Sequence, residues 1–281
     1  MLMPAAFTGE SSITNSSSAS AGFPPRNVSA VELVRPMQGR TRPSLLRCND
    51  GKYYVVKFDK RCRQERTFVN ELLAGLLARL IGLPVREPVL VEVPRSFSYR
   101  SSTTTEPTIG TSLVFGSAYP HPPKEMLVTD FLPDRLLRRV VNVEEVFLGA
   151  FVFDLWICNS GRRDFIFSRP ASEEGASYSA WLIDHDAAFN DGNWKFPGTF
   201  VPFLYGKRLV CHAASRIDSF SRVLERIENL SAQEIDKVAR CVPVEWCSGD
   251  LSAILDLADQ LFARRRQLRK ALQRILPSIA A

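Results

Sequence analysis

The sequence predicts an α+β fold in two lobes, with an antiparallel sheet and one main helix in the first lobe and mostly helices in the second. Three observations support this prediction. Short apolar, β-branched runs dominate the first half of the chain, segments with helical spacing dominate the second, and an irregular connection near Pro133 separates them. The 281 residues, 45% of them hydrophobic, are enough for one large core or two smaller ones.

The beginning of the chain has the composition of a flexible segment. Residues 1–27 are rich in Ser, Thr, Ala, Gly and Pro, and only Glu10 and Arg26 are charged. Such a segment cannot bury enough apolar surface to order itself. We therefore expect a disordered tail over residues 1–27, a first lobe over 28–132 and a helical second lobe over 133–281.

The first lobe begins with strand-like runs at 30–34, 44–48 and 53–58, the last two joined by an Asn-Asp-Gly turn. These predict an antiparallel meander. A helix is predicted over 65–81, because leucines and a phenylalanine recur every four residues and a glycine and a proline follow. Further strands are predicted at 89–93, 113–117 and 126–132.

The second lobe opens with Asn142, a residue type that caps helices, and Glu145 follows three residues later. The apolar segment after them predicts a deeply buried helix ending near Ile157. A strand is predicted at 181–184, and helices are predicted at 217–229, 232–241 and 250–275.

Two strand-like runs each end in a charged residue that a buried strand would not carry without a reason. The first run, Tyr53-Tyr54-Val55-Val56, ends in Lys57, and the second, Trp181-Leu182-Ile183, ends in Asp184. A lysine in this position can reach the phosphates of ATP, and an aspartate can hold magnesium. The alternatives are an edge strand that ends in a lysine and a turn or capping aspartate.

Other polar residues accompany this pair. Glu71 lies fourteen residues after Lys57 on the predicted helix, where the two could form an ion pair. Asp154 and Asn159 lie on or just past the buried helix before Asp184. Carboxylates together with an amide suit Mg2+, which takes oxygen ligands.

Charge and cysteine content limit the other function classes. The net charge of +6 favours an anionic partner, but the excess is concentrated in Arg264-Arg265-Arg266 and Arg269-Lys270. Leucines alternate with these cations and no aromatic platform accompanies them, so a nucleic acid is an unlikely partner. The six cysteines form no C-x-x-C pair, which favours reduced thiols. Without a long apolar run or a secretory leader, we expect a cytoplasmic protein with no membrane partner.

The chain resembles the HipA-like kinase family, which has a protein-kinase-like fold, over most of its length, from about Val28 to Leu272. The motifs that carry the resemblance are Gly51-x-Tyr53-Tyr54-Val55-Val56-Lys57-Phe58, Asn70-Glu71-Leu72-Leu73-Ala74, Gly82-Leu83-Pro84-Val85, Phe115-Gly116-Ser117, Phe131-Leu132-Pro133, Phe153-Asp154-x-Trp156-x-x-Asn159, Leu182-Ile183-Asp184-His185, Phe189, Trp194 and Pro243-x-Glu245-Trp246.

This resemblance implies roles for particular residues. Lys57 would contact the ATP phosphates with Glu71 as its partner, and Asp184 would bind magnesium. The adenine-contacting hinge would be residues 128–132, with Val128, Asp130 and Leu132. The residues expected to serve catalysis are Asp154, Asn159 and Asp164. Residues 38–41, with a single glycine, lie where a phosphate-covering loop would be.

One departure from the family pattern concerns the catalytic base. The family commonly reads Asn-x-Asp after the long helix, whereas this chain has Gly161 at the aspartate position. Asp164 or Asp186 could substitute if the loop is rearranged. We therefore expect an ATP-dependent kinase that phosphorylates a protein Ser/Thr hydroxyl, with reduced activity. The alternatives are a nucleotide-binding pseudokinase scaffold and a basic nucleic-acid-binding protein.

Overall fold

The computed structural model describes residues 24–38, 43–57, 64–94, 97, 112–203 and 217–280. Its strands are β1 (Asn27–Pro36), β2 (Ser44–Cys48), β3 (Tyr53–Val56), β4 (Pro88–Val93), β5 (Ser112–Ala118), β6 (Met126–Thr129), β7 (Asp164–Pro170) and β8 (Ser179–Ile183). Its helices are α1 (Gln64–Leu80), α2 (Asp134–Leu137), α3 (Val143–Ile157), α4 (Ala188–Asp191), α5 (Ser221–Glu228), α6 (Ala232–Ala239), α7 (Ser252–Arg264) and α8 (Leu268–Ala280). Most of the predicted tail lies outside the described residues.

The first five strands form a closed barrel in the order β1-β2-β3-β5-β4. The predicted meander β1-β2-β3 is present, and its pairs are antiparallel. The barrel closes through a parallel pairing of Asn27, Val28 and Ser29 with residues 90–92. This pairing was not predicted, because the two segments lie far apart in the sequence. Closure pairs both edges of the sheet, which an open sheet would leave exposed.

Helix α1 packs against the barrel on one side and against the helical part of the chain on the other. From Val69 to Ala78 every residue is buried, including the polar Asn70 and Glu71. A helix that is apolar over most of its surface is expected in such a central position. The burial of the two polar side chains means that they need internal partners.

The remaining strands form a separate antiparallel sheet in the order β6-β7-β8. Strand β8 was predicted, but β7 was not. Its alternation, with Phe165 and Phe167 buried, was a readable strand signal. The predicted strand at 126–132 ends earlier, at Thr129, and the predicted helix at 250–275 is divided into α7 and α8 by a 3₁₀ turn, Arg265–Gln267.

The helical part packs around α3, which is buried from Val146 to Ile157. Trp156 lies inside this core, and its indole Nε1 donates a hydrogen bond to the carbonyl of Leu261 at 3.0 Å, which ties α3 to α7. No described helix combines the length and apolarity needed to cross a membrane.

Gly116 lies where three strands of the barrel meet. A Cβ at this position would lie 2.6 Å from Val91 Cγ2 and 3.2 Å from Val89 Cγ2. We expect Gly116→Ala to lower the free energy of unfolding by about 1–3 kcal/mol through overpacking. Gly198 is exposed with nothing within 4 Å of such a Cβ, so Gly198→Ala should stay within about 0.5 kcal/mol of wild type. Urea unfolding of both variants measures the difference, and equal values would contradict the tight packing at Gly116.

Candidate active site

A cleft of about 740 Å³ lies between the barrel and the β6-β7-β8 sheet. Its apolar walls include Val55 and Phe115 from the barrel and Ile166 and Leu182 from the sheet. The charged groups that face it include Lys57, Glu71, Arg86, Asp130, Asp164 and Asp184. An apolar cleft with a few convergent polar groups is the usual form of a small-molecule site, and this volume is within the common range.

Lys57 joins two carboxylates from distant parts of the chain. Its Nζ donates one hydrogen bond to Glu71 Oε1 on α1 and another, at 2.6 Å, to Asp184 Oδ1 just after β8. The second oxygen of Glu71 accepts the backbone N–H of His185 at 3.0 Å. The barrel, α1 and the sheet therefore meet at one ammonium group.

The electrostatics of this cluster keep Asp184 charged. Burial raises the pKa of Glu71 to about 7, although the Lys57 ammonium opposes this shift. Burial also acts to raise the pKa of Asp184, but the Lys57 charge outweighs it and holds that pKa below its ordinary value. Asp184 is therefore an ionised oxygen donor at neutral pH, as a ligand for a divalent cation must be.

Arg163 forms a buried ion pair with Asp154, and the two residues are 1% and 0% exposed. Its Nε donates to Asp154 Oδ2 at 3.0 Å, and one terminal nitrogen donates to Oδ1. Its other terminal nitrogen donates to the carbonyls of Ile183 at 2.9 Å and Asp184 at 3.3 Å. Both oxygens of Asp154 are thus occupied by an arginine that fixes the backbone at Asp184.

The same arginine contacts His185. Its terminal nitrogen lies 3.1 Å from His185 Nδ1, and burial, with the Arg163 charge, lowers the pKa of this histidine well below its ordinary value. The imidazole is therefore neutral, and Nδ1 accepts the hydrogen bond. Asp184 itself has a φ of 60°, a left-handed conformation that a non-glycine residue adopts only when its surroundings hold it there.

Asn70 holds the segment that follows Asp184. Its amide nitrogen donates to the carbonyls of Asp186 at 2.8 Å and Ala188 at 3.1 Å, and its oxygen accepts Trp194 Nε1 at 3.0 Å. Several non-glycine residues of this segment also have positive φ, namely Phe189, Asn190, Asp191 and Trp194. Helix α1 therefore supplies both the partner of Lys57 and the anchor of this strained segment.

The predicted catalytic residues occupy three different environments. Asp154 is enclosed by Arg163, as described above. Asn159 is 1% exposed, and its side-chain amide lies close enough to the Asp154 carboxylate to act against the rise in that group's pKa. Asp164 lies at the start of β7 and faces the cleft. Burial and the neighbouring Asp184 carboxylate raise the pKa of Asp164.

Gly161 lies in close contact with the segment after Asp184. A Cβ at this position would lie 2.8 Å from Ala187 Cβ and 3.7 Å from Asn159 Oδ1. A separation of 2.8 Å between two Cβ atoms is not tolerated without movement of the backbone. The site as folded therefore has no room for an aspartate at residue 161.

The predicted hinge residues are divided between the cleft and the core. Val128 and Asp130 line the cleft, whereas Leu132 is 4% exposed and belongs to the hydrophobic core. Gln38, at the start of the predicted phosphate-covering loop, also lines the cleft. The rest of that loop, residues 39–41, lies outside the described residues.

The basic cluster near the end of the chain is largely engaged in structural contacts. Arg264 donates to the carbonyls of Trp156 at 2.9 Å and Leu155 at 3.0 Å, at the C-terminus of α3. Arg265 is buried and donates to the carbonyl of Leu230 at 2.9 Å, and Arg269 pairs with Glu228. A cation at a helix C-terminus is stabilising, so this arrangement does not favour a nucleic-acid surface.

Four residues at the site were missed as functional candidates or noted only as parts of motifs. Arg163 and Asn70 hold the backbone around Asp184, Trp194 anchors Asn70, and Arg86 faces the cleft. Asp154 was recognised as a polar residue on a buried helix, but the sequence did not show that Arg163 is its partner. The position of Arg163 close to the Asn159 motif was the one available signal.

The Arg163–Asp154 pair can be tested by removing one or both partners. Arg163→Met leaves a buried carboxylate without a counter-charge and should lower the free energy of unfolding by about 3–5 kcal/mol. The double variant Asp154→Leu/Arg163→Met should recover part of this loss, but not all of it, because the carbonyls of residues 183 and 184 stay without their donor. Urea unfolding measures both. A single variant within about 1 kcal/mol of wild type, or a double variant no more stable than the single one, would contradict a buried ion pair.

Comparison with known proteins agrees with the resemblance seen in the sequence. The HipA-like kinase family matches residues 30–275. Among solved structures, the Helicobacter pylori proinflammatory kinase CtkA matches with a TM-score of 0.43 and 12% identity over 92% of this chain and 99% of that one. The Golgi casein kinase gives a TM-score of 0.48 at 10% identity, covering 92% of this chain and 75% of that one. The structure of the Golgi casein kinase with Mn/ADP bound gives a TM-score of 0.47 at 11% identity, covering 90% of this chain and 73% of that one.

No curated protein matches the chain. The assignment therefore rests on the family match, which extends over most of the sequence and includes both the Lys57 strand and the Asp184 strand. The chain belongs to the HipA-like kinase family.

Proposed function

We propose that the protein is an ATP-dependent kinase that transfers the γ-phosphoryl group to a Ser or Thr hydroxyl of a protein substrate. The observation that carries the proposal is the joining of Lys57, Glu71 and Asp184 at one wall of a cleft of nucleotide size. Residues 28–132 would form one lobe and residues 133–281 the other, with the nucleotide between them.

The cleft has a charged part and an apolar part. Lys57 would contact the phosphates, since its ammonium already lies between two carboxylates and can exchange one of them for a phosphate oxygen. Val128 and Asp130 would face the base and ribose, with Val55, Ile166 and Leu182 as apolar walls. Leu132 would support this segment from the core rather than touch the nucleotide.

The residues at the charged part fit a divalent cation such as Mg2+. Asp184 has one oxygen on Lys57 and a side chain that is partly exposed to the cleft, so its other oxygen would face the cation. Among the described residues no three His, Cys, Asp or Glu side chains are grouped closely enough to hold a metal by themselves. This fits Mg2+, which is usually held by one or two carboxylates together with substrate phosphates. When bound, it would neutralise charge on the transferring phosphoryl group.

Asp164 is the best candidate for the proton acceptor in place of an aspartate at 161. In the transfer, the substrate hydroxyl oxygen forms a bond to the γ-phosphorus, the bond between that phosphorus and the β–γ bridging oxygen breaks, and ADP leaves. The hydroxyl proton would pass to the Asp164 carboxylate, which faces the cleft. Its raised pKa makes it a better base than an ordinary aspartate.

A nucleotide-binding scaffold without phosphoryl transfer is the second candidate function, and Gly161 is the observation that favours it. The absence of an aspartate at 161 does not by itself exclude a kinase, however. Phosphoryl transfer depends mainly on positioning and charge neutralisation, so a slow reaction does not require the usual base. The two functions differ only in whether phosphate is transferred after the nucleotide binds.

Nucleotide binding can be tested by thermal and urea unfolding with and without Mg-ATP. At a ligand concentration a hundred times its dissociation constant, wild type should gain about 2.7 kcal/mol of stability. Lys57→Met and Asp184→Ala should lose most of this gain, because each removes a charge at the phosphate end. The matched controls are Lys52→Met and Asp256→Asn, which change exposed residues outside the cleft. Absence of any stabilisation of wild type would overturn the nucleotide site.

Phosphoryl transfer can be tested on the same samples by intact-mass analysis and by γ-phosphate transfer to a mixture of protein substrates. Asp164→Asn should lower the transfer rate about a hundredfold to ten-thousandfold and change the affinity for Mg-ATP less than threefold. An unchanged rate would exclude Asp164 as the proton acceptor, and transfer undetectable in wild type would favour the scaffold.

Gly161 can be tested by restoring the family's aspartate. Gly161→Asp alone should be destabilised and no more active, because its Cβ would be 2.8 Å from that of Ala187. Gly161→Asp/Ala187→Gly removes the clash and should recover stability, which thermal unfolding measures. If the single variant is as stable as wild type, the close approach of these two residues is wrong.

A further inference from the structure

Arg86 is a cation of the cleft that takes no part in the Lys57–Glu71–Asp184 cluster. Its side chain lines the cleft, and its Nε donates to the carbonyl of Ala118 at 2.8 Å. Ala118 is paired with Tyr54, three residues before Lys57 on the same strand segment. Three residues of β-strand span about 10 Å. The Ala118 carbonyl that Arg86 engages is therefore displaced from Lys57 by about 10 Å along the strand direction.

Arg86 also contacts the β6-β7-β8 sheet, which carries part of the predicted hinge. Its guanidinium stacks on the ring of Trp181, with its carbon 4.5 Å from the ring centroid. Trp181 Nε1 donates to Ser168 Oγ at 3.0 Å, and Ser168 is paired with Val128 of β6. These contacts place Arg86 beside the residues that would face the nucleobase.

The terminal nitrogens of Arg86 are available to a ligand. Within the described residues they donate no hydrogen bond to the protein, and Arg86 forms no salt bridge there. The adjacent carboxylate, Glu87, is instead paired with Arg26, at 2.9 Å. Burial lowers the pKa of Arg86, and the neighbouring Glu87 carboxylate opposes this shift without cancelling it.

We propose that Arg86 is a nucleobase-selecting residue, and that it lets the site take 6-oxopurine nucleotides such as GTP at least as well as ATP. This inference rests on the proposed function. A guanidinium has only donors. Guanine offers O6 and N7 as two adjacent acceptors, which a guanidinium can engage together, whereas adenine offers N7 beside a donor amino group. The fixed, stacked guanidinium therefore matches a C6 carbonyl better than a C6 amino group.

A phosphate contact is the alternative role for such a cation, and the geometry favours it less. The phosphates would be drawn to Lys57 and to a cation held by Asp184, and neither residue is among the charges that act on Arg86. The immediate surroundings of Arg86 are an aromatic ring and a backbone carbonyl. An aromatic and apolar setting with one fixed polar group is typical of a base-binding position.

The proposal is tested by measuring the dissociation constants of Mg-ATP, Mg-GTP and Mg-ITP for wild type and Arg86→Met by calorimetry. Inosine has the C6 carbonyl without the 2-amino group. Binding of ITP therefore measures the contribution of Arg86 to affinity without any contribution from a contact to that amino group. We expect wild type to bind GTP and ITP at least as tightly as ATP. Arg86→Met should weaken GTP and ITP about 5- to 150-fold, the range expected for one bidentate arginine pair, and ATP less than threefold.

Two further variants separate binding from folding. Arg86→Gln keeps a donor for the Ala118 carbonyl and should also lose the preference for a 6-oxopurine, while its melting temperature stays nearer that of wild type. Arg138→Met removes an exposed cation outside the cleft and should leave all three constants unchanged.

Two results would overturn the inference while leaving the nucleotide site in place. One is wild type binding ATP more than tenfold tighter than both GTP and ITP. The other is Arg86→Met weakening all three nucleotides equally, as a phosphate contact would. Failure of wild type to bind any of the three would instead overturn the proposed function, and this inference with it.

Discussion

The buried pair between Arg163 and Asp154 is the interaction on which the geometry of the site depends. Arg163 is bound to Asp154 on α3, and its second terminal nitrogen donates to the carbonyls of Ile183 and Asp184. The position of α3 therefore determines where the Asp184 backbone lies. That backbone has a left-handed conformation, which would relax without such support. A charge pair taken out of water is a poor source of stability, but here it sets the direction in which a functional carboxylate points.

Helix α1 couples the two halves of the site. It carries Glu71, which meets Lys57 of the barrel, and Asn70, which holds the segment after Asp184. Displacement of this helix would therefore disturb Lys57 and Asp184 together. The two polar residues are tolerated in a buried helix because each has internal partners.

Local patterns predicted most of the secondary structure, and they also predicted that Lys57, Glu71 and Asp184 would lie together. These three could be identified because each interrupts or ends an apolar run. Arg163 and Arg86 could not, since an arginine in a loop is ordinary, and its burial depends on distant residues such as Asp154 and Trp181. Strand β7 was not predicted, although the alternation of partly exposed and buried residues from Asp164 to Phe167 is typical of a strand. The parallel closure of the barrel has no local signal at all.

The order of strands in the barrel also constrains how the chain folds. Strand β5 is inserted between β3 and β4, both of which precede it in the sequence. A ribosome must therefore release residue 118 before the sheet can become continuous, and until then β3 and β4 each lack a neighbour. Pairings between distant segments form slowly, because a long loop must be ordered first. During synthesis the strand that precedes Lys57 would remain an open edge, and the cleft between the barrel and the β6-β7-β8 sheet would be assembled late.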